Sequence, residues 1–155
     1  HMHKVESYIQ LGIEEGGTIL TGGTREMTGQ VGPTSEGAFL RPTVIDGLDH
    51  NSRTSTEEIF GPVVTIHRFE YDEEAIEIAN STEYGLAGSV WSGDTNRAHE
   101  IAQRIETGII WVNTWLHRDL RTPFGGVKNS GVGREGGAWS LGFFSEPLNV
   151  CIKHD

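Results

Sequence analysis

Pro123-Phe124-Gly125-Gly126-Val127-Lys128-Asn129-Ser130-Gly131-Val132-Gly133-Arg134-Glu135-Gly136-Gly137 places six glycines among fifteen residues. Glycine takes positive φ without steric cost and lets other groups approach the backbone closely. The stretch therefore reads as a shaped connection, neither helix nor strand. Within it, Gly131-Val132-Gly133-Arg134-Glu135-Gly136 fits the pattern G-x-G-x-x-G of dinucleotide-binding turns. That fingerprint needs a strand before it, a helix after it and a second strand beyond. A loop precedes this one and too little chain follows. The glycines are read instead as shaping a turn and the start of a short helix over Ala138–Phe143.

Upstream, the pattern alternates. Val5, Tyr8, Ile9 and Ile13 recur at helical spacing, so Lys4–Glu15 is expected to be a helix, ended by Gly16-Gly17. A short strand follows over Thr18–Leu20, a polar loop over Gly22–Gly37, and an extended segment over Phe39–Ile45. Asp46–Ser55 is polar and irregular. Val63–Phe69 is a β-branched strand after the Gly61-Pro62 break. Asp72–Asn80 is a helix that Asp72 is placed to cap. Ala87–Trp91 is a strand, Asp94–Glu106 a helix, and Ile109–Val112 an apolar strand expected to be buried on both faces. This order predicts an α/β fold with a mostly parallel sheet and flanking helices. A last strand, Asn149–Lys153, has no evident partner in the chain and is expected to pair with a neighbouring subunit.

The bulk properties set limits. A chain of 155 residues suits one sizeable core, and 35% hydrophobic with 22% charged residues is an ordinary globular balance. The 21 glycines exceed the usual share of about 7% but follow no repeat. The net charge of -10 and the lack of a basic stripe disfavour nucleic acid as a partner. No apolar run approaches the roughly 20 residues that cross a bilayer, so no membrane partner is expected. His1-Met2-His3 reads as an expression remnant outside the fold. Cys151 is the one cysteine, which excludes an intrachain disulfide and a Cys-based zinc cluster, and fits a reducing cytoplasm. No metal site is expected.

Two motifs bear on chemistry. In Glu57-Glu58-Ile59-Phe60-Gly61-Pro62 two carboxylates stand beside an aromatic residue and a tight turn. In Trp115-Leu116-His117-Arg118-Asp119-Leu120-Arg121-Thr122-Pro123-Phe124-Gly125-Gly126 two arginines follow an apolar strand. That is the mouth of a parallel sheet, where ligands usually bind. A solvated acid pair, and an Arg118 that merely meets Asp119 or Glu135 on the surface, are the plain alternatives.

Together with the glycine-rich run, these motifs closely resemble the C-terminal part of the NAD(P)-dependent aldehyde dehydrogenases. Within that family, the Trp-x-x-Arg-Asp-Leu-Arg-Thr-Pro-Phe-Gly-Gly run is most similar to the branch acting on 2-hydroxymuconic, 5-carboxymethyl-2-hydroxymuconic and 2-aminomuconic semialdehydes. The resemblance covers Lys4–Lys153 and implies NAD as cofactor, with NADP left open. It implies that Glu58 accepts hydrogen bonds from the nicotinamide-ribose hydroxyls, that Phe60 packs near the ribose, and that Leu86 touches the nicotinamide. A carboxylate is acceptor-only and suits two hydroxyl donors. It further implies that Trp115, Phe124 and the loop between them line the aldehyde tunnel. Arg118, and less directly Arg121, would then face a carboxylate on the substrate, because guanidinium and carboxylate pair in bidentate fashion. The partner is accordingly a small aldehyde, and the parent protein is expected to be a homo-oligomer, a dimer or tetramer.

The same resemblance shows what is missing. The family's reaction needs a cysteine thiolate to attack the aldehyde before hydride passes to the nicotinamide. That cysteine lies in a Gly-Gln-x-Cys type segment ahead of Glu-Ile-Phe-Gly-Pro, and the general-base glutamate in a Glu-Leu-Gly-Gly type segment; neither occurs here. Cys151, in the terminal strand, is read as a small apolar residue. No catalytic residue is therefore assigned. Residues 4–143 are expected to be the C-terminal part of a catalytic domain, residues 144–155 an oligomerisation strand, and the chain alone inactive. A natural non-catalytic assembly or regulatory module remains the other reading.

Overall fold

In the computed structural model residues 1–25 and 38–154 are described. The expected loop over 22–37 lies mostly outside them. The chain divides into two units, His1–Thr82 and Glu83–Asp155. No helix among the described residues is long and apolar enough to cross a membrane.

The first unit is built around helix α1 (Met2–Glu14), which starts earlier than expected and takes in Met2 and His3. Val5, Ile9 and Gly12 repeat every four and three residues, so one face is buried. That face meets a small sheet. Strand β1 (Thr18–Thr21) pairs antiparallel with β2 (Thr43–Asp46), and β2 pairs parallel with β3 (Val63–Ile66). Val5, Ile9 and Ile59 form a buried cluster, joined by Tyr8, Ile19, Leu40 and Val63. Ile45 on β2 is fully buried.

The polar stretch after β2 contains a single helical turn, α2 (Arg53–Thr56), that its composition did not announce. Ser52 caps it, and the Glu15 carboxylate accepts from the Arg53 and Thr54 amides at 2.9 and 3.1 Å. Helix α3 (Asp72–Asn80) has the expected bounds, but Tyr71 occupies the cap position without a side-chain bond. Asp72 instead joins Glu73 and Glu74 in the first turn, where acids favour the helix dipole.

In the second unit β5 (Ala87–Val90) and β6 (Ile109–Val112) pair in parallel, in register from Ala87↔Ile109 to Val90↔Val112. Helix α4 (Thr95–Ala102) connects them and buries Ala98 and Ala102. Asp94 caps it by accepting from the Asn96 and Arg97 amides. A two-residue antiparallel pair, β4 (Tyr84–Gly85) with β7 (Val127–Lys128), joins the glycine-rich run to the strand side. Helix α5 (Gly137–Phe144) closes the order.

The fold is α/β, but among the described residues the strands form three small sheets, not one mostly parallel sheet. Two pairings are parallel, β2 with β3 and β5 with β6, and two are antiparallel, β1 with β2 and β4 with β7, so strands distant in the chain pair in both senses. Only Trp111 of β6 is buried, so the expected burial of both faces is not found. Asn149–Lys153 is not a strand: it joins none of the sheets of the described residues, and Val150 and Ile152 stay exposed.

Candidate functional site

The Glu57–Pro62 motif is clamped onto α1 by alternate residues. Ile59 is buried in the Val5/Ile9 cluster. Gly61 lies so close to α1 that a Cβ there would meet both Val5 methyls at 2.7 Å. With those two positions facing inward, Glu58 and Phe60 face outward, and Phe60 is 75% exposed. Phe60 also has φ of 57°, a left-handed conformation that a bulky L-residue rarely adopts.

The neighbouring acids differ in what surrounds them. Glu57 accepts two bonds from the Arg53 guanidinium, at 2.7 and 3.1 Å, and one from the Tyr8 hydroxyl. Arg53 and then Tyr8 hold its carboxyl down at a pKa of about 2. The same bond raises the pKa of Tyr8. Glu58 uses only its backbone carbonyl, which accepts from Lys4 Nζ at 2.8 Å. Its carboxylate bonds to no protein group among the described residues. Glu57 is thus a structural acid, and Glu58 an acceptor open to a ligand with hydroxyl donors.

In the second unit the loop after β6 is heavily braced. The Asn113 side chain both accepts from the Ser92 amide and donates to the Ser92 carbonyl, at 2.9 Å each. Trp111 Nε1 donates to the His117 carbonyl at 2.7 Å. Trp115 packs edge-on against Trp111, with ring centres 4.9 Å apart. Arg121 is taken up by Asp119, whose pKa it lowers. Arg118 lies over the Phe124 ring at 3.9 Å and donates to Glu135 at 2.7 Å.

Leu86 and Phe124 line one open groove of about 320 Å³, together with Phe143, Phe144 and the Gly125–Gly133 loop. Of the five candidates in this unit, Leu86 and Phe124 share this groove, and Arg118 is tied to two of its lining residues, Phe124 and Glu135, without lining it. Trp115 rests on Trp111 instead, and Arg121 turns to its own neighbour. Glu58 and Phe60 belong to the first unit. Sequence reasoning gave Glu135 no more than a surface role and passed over Phe143 and Phe144. The apolar Phe-Phe pair was visible, but its meeting with Phe124 depends on pairing across the glycine loop.

The model of the aldehyde dehydrogenase family matches residues 1–150. The 2-hydroxymuconic semialdehyde dehydrogenase of Pseudomonas sp. (strain CF600) is 49% identical over 154 residues, 99% of this chain and 31% of that protein. The human 2-aminomuconic semialdehyde dehydrogenase is 42% identical over 154 residues, 99% of this chain and 32% of that protein. The crystal structure of betaine aldehyde dehydrogenase from Staphylococcus aureus in complex with NAD+ superposes with a TM-score of 0.87. It is 41% identical, over 93% of this chain and 28% of that one. The chain therefore spans a little under a third of the relatives it matches.

Proposed function

This chain belongs to the aldehyde dehydrogenase family, and on that footing we propose that it carries the cofactor-ribose and aldehyde-facing walls of an NAD-dependent oxidoreductase acting on a carboxylated semialdehyde. The observation that carries the reading is the contrast between the two adjacent acids. Glu57 is consumed by Arg53 and Tyr8, whereas the Glu58 carboxylate stands open beside an outward-facing aromatic ring.

These residues suit NAD. An ionised carboxylate accepts two ribose hydroxyls, and the Phe60 ring beside it fixes orientation and sheds water. Leu86 offers an apolar contact to the nicotinamide. NAD supplies the hydride acceptor; this chain supplies position. Phe124 and Trp115 would line the path of the aldehyde. Arg118 would hold a carboxylate at the far end of the substrate, with Arg121 a lesser contributor. The nucleophile and general base are assigned to protein outside these residues, so the chain alone is expected to be inactive. Residues 4–143 are proposed as catalytic-domain structure in a cytoplasmic enzyme. Residues 144–155, with Leu148, Val150 and Ile152 exposed, are proposed to pair across a dimer or tetramer interface.

The test uses the enzyme that contains this chain. Glu58→Gln should raise KM for NAD. Arg118→Ala should raise KM for a carboxylated semialdehyde far more than for a neutral aldehyde. A charge-assisted contact of this kind is worth about 2–3 kcal/mol. Equal effects on the two aldehydes would remove the substrate assignment, and an unchanged KM for NAD would remove Glu58.

A further inference from the structure

Arg118 is held on two sides by residues that are themselves paired through the backbone. Its guanidinium carbon sits 3.9 Å from the centre of the Phe124 ring. Its Nη2 donates to Glu135 Oε1 at 2.7 Å. Phe124 and Glu135 form an antiparallel bridge, each amide donating to the other's carbonyl at 2.8 Å. The next residue back, Arg134, donates from Nη1 to the Gly126 and Gly133 carbonyls at 2.9 and 2.7 Å and so closes the intervening loop.

The geometry divides the work. The ring bounds the guanidinium on one side, and Glu135 holds one of its nitrogens. A guanidinium carries five N–H donors in a rigid fork. Among the described residues Arg118 donates to Glu135 alone, and the adjacent acid, Asp119, is occupied by Arg121. The rest of the fork donates to no described protein group, and the Arg118 side chain is partly exposed, packed on a ring that lines the groove.

We propose that Glu135 is a positioning residue: anchored by its backbone bridge to Phe124, it orients Arg118 so that the unclaimed edge of the fork meets a substrate carboxylate. This rests on the reading of Arg118 given above. Glu135 also places a negative charge near the incoming anion, so charge and positioning act in opposite directions. Two substitutions separate them. Glu135→Gln and Glu135→Ala remove the same charge, but only glutamine keeps an acceptor at the right reach.

The experiment titrates the 155-residue chain with sorbate, a six-carbon dienoate, and with its neutral amide, sorbamide. Affinity is read from the Phe124 backbone amide shift, and order from 15N relaxation of Arg118 Nε. The wild-type chain should bind sorbate in preference to sorbamide, and Arg118→Gln should abolish that preference. Glu135→Ala should bind sorbate roughly 2- to 10-fold more weakly than Glu135→Gln, the cost of ordering one long side chain on binding. Arg118 Nε should be less ordered in the alanine variant than in the glutamine variant. Equal affinity and equal order in those two variants, with the sorbate preference intact, would overturn the role of Glu135 alone. No preference in the wild-type chain, or one that survives Arg118→Gln, would overturn the Arg118 reading and this inference with it. Should the alanine variant fail to fold, Glu135→Asp keeps the charge and draws the acceptor back by one methylene. It should then bind more weakly than wild type, and equal binding would again overturn the positioning role.

Discussion

Replacing Gly108 by alanine tests the packing that places Phe124. Gly108 immediately precedes β6, and a Cβ built on it would lie 1.5 Å from the Gly125 carbonyl oxygen and 2.6 Å from its carbon. Ordinary contact between such atoms is about 3.5 Å, so the Gly125 peptide must retreat by roughly 2 Å. The obstacle is backbone, which cannot escape by changing rotamer. Gly125 is also the residue after Phe124, whose two 2.8 Å bonds to Glu135 would be pulled apart. Overpacking commonly costs 1–3 kcal/mol, and this case belongs at the upper end, about 3 kcal/mol. Trp91, Trp111, Trp115 and Trp139, all the tryptophans of the chain, fall in the second unit. Tryptophan fluorescence during urea unfolding therefore reports that unit selectively. With a urea dependence of about 1 kcal/mol per molar, the midpoint should fall by roughly 3 M, or the unit should be unfolded without urea. Gly142→Ala is the control: it lies inside α5 with nothing within 4 Å of the added carbon. It should stabilise by about 0.5–1 kcal/mol. A Gly108→Ala unit within about 0.5 kcal/mol of wild type, with the Phe124 amide unmoved, would refute the close pass.

The acid limb of stability should follow Glu57 and Glu6. Both carboxyls are held at a pKa of about 2, Glu57 by Arg53 and Tyr8, Glu6 by Arg25. A depressed folded pKa gives stability that is present above the unfolded value, near 4.5, and fades as pH falls towards 2. A carboxyl-carbon NMR titration should place the Glu57 inflection near 2, and Glu57→Gln should flatten the acid loss; an inflection at the ordinary value would count against the network. At α4, Asp94→Ala should cost about 1 kcal/mol in the tryptophan-monitored unfolding while Asp94→Asn stays close to wild type, because the side chain caps two amides. Equal losses in the two variants would show that the cap bond is not what matters.

Periodicity carried most of the fold. The recurrence of Val5 and Ile9 marks α1, and α3 and β6 have their predicted bounds, because each is long enough to carry a residue pattern of its own. The elements that escaped are those made by distant partners. Tyr84–Gly85 and Val127–Lys128 are strands only because each finds the other, and two residues leave no period to read. Asn149–Lys153 has a strand-like composition, yet hydrogen-bonded pairing, not composition, makes a strand. The candidate site divides the same way. Glu58, Phe60, Leu86, Trp115, Arg118, Arg121 and Phe124 were named from motifs. What distinguishes Glu58 from Glu57, or Arg118 from Arg121, is which neighbour satisfies each charge. That depends on Arg53 and Tyr8 in one case, and on Asp119, Glu135 and Phe124 in the other.

Phe60 sits in a backbone conformation that glycine would occupy more comfortably, by on the order of 1–2 kcal/mol. Buried Ile59 on one side and the tight Gly61 contact on the other keep it there. The direction of the ring is thus dictated by the main chain before any side-chain torsion is chosen. Phe60→Gly should consequently yield a protein that melts at the same or a higher temperature and has lost its aromatic wall. At this position a screen for thermal robustness would enrich molecules lacking the ring that we propose orients the cofactor ribose.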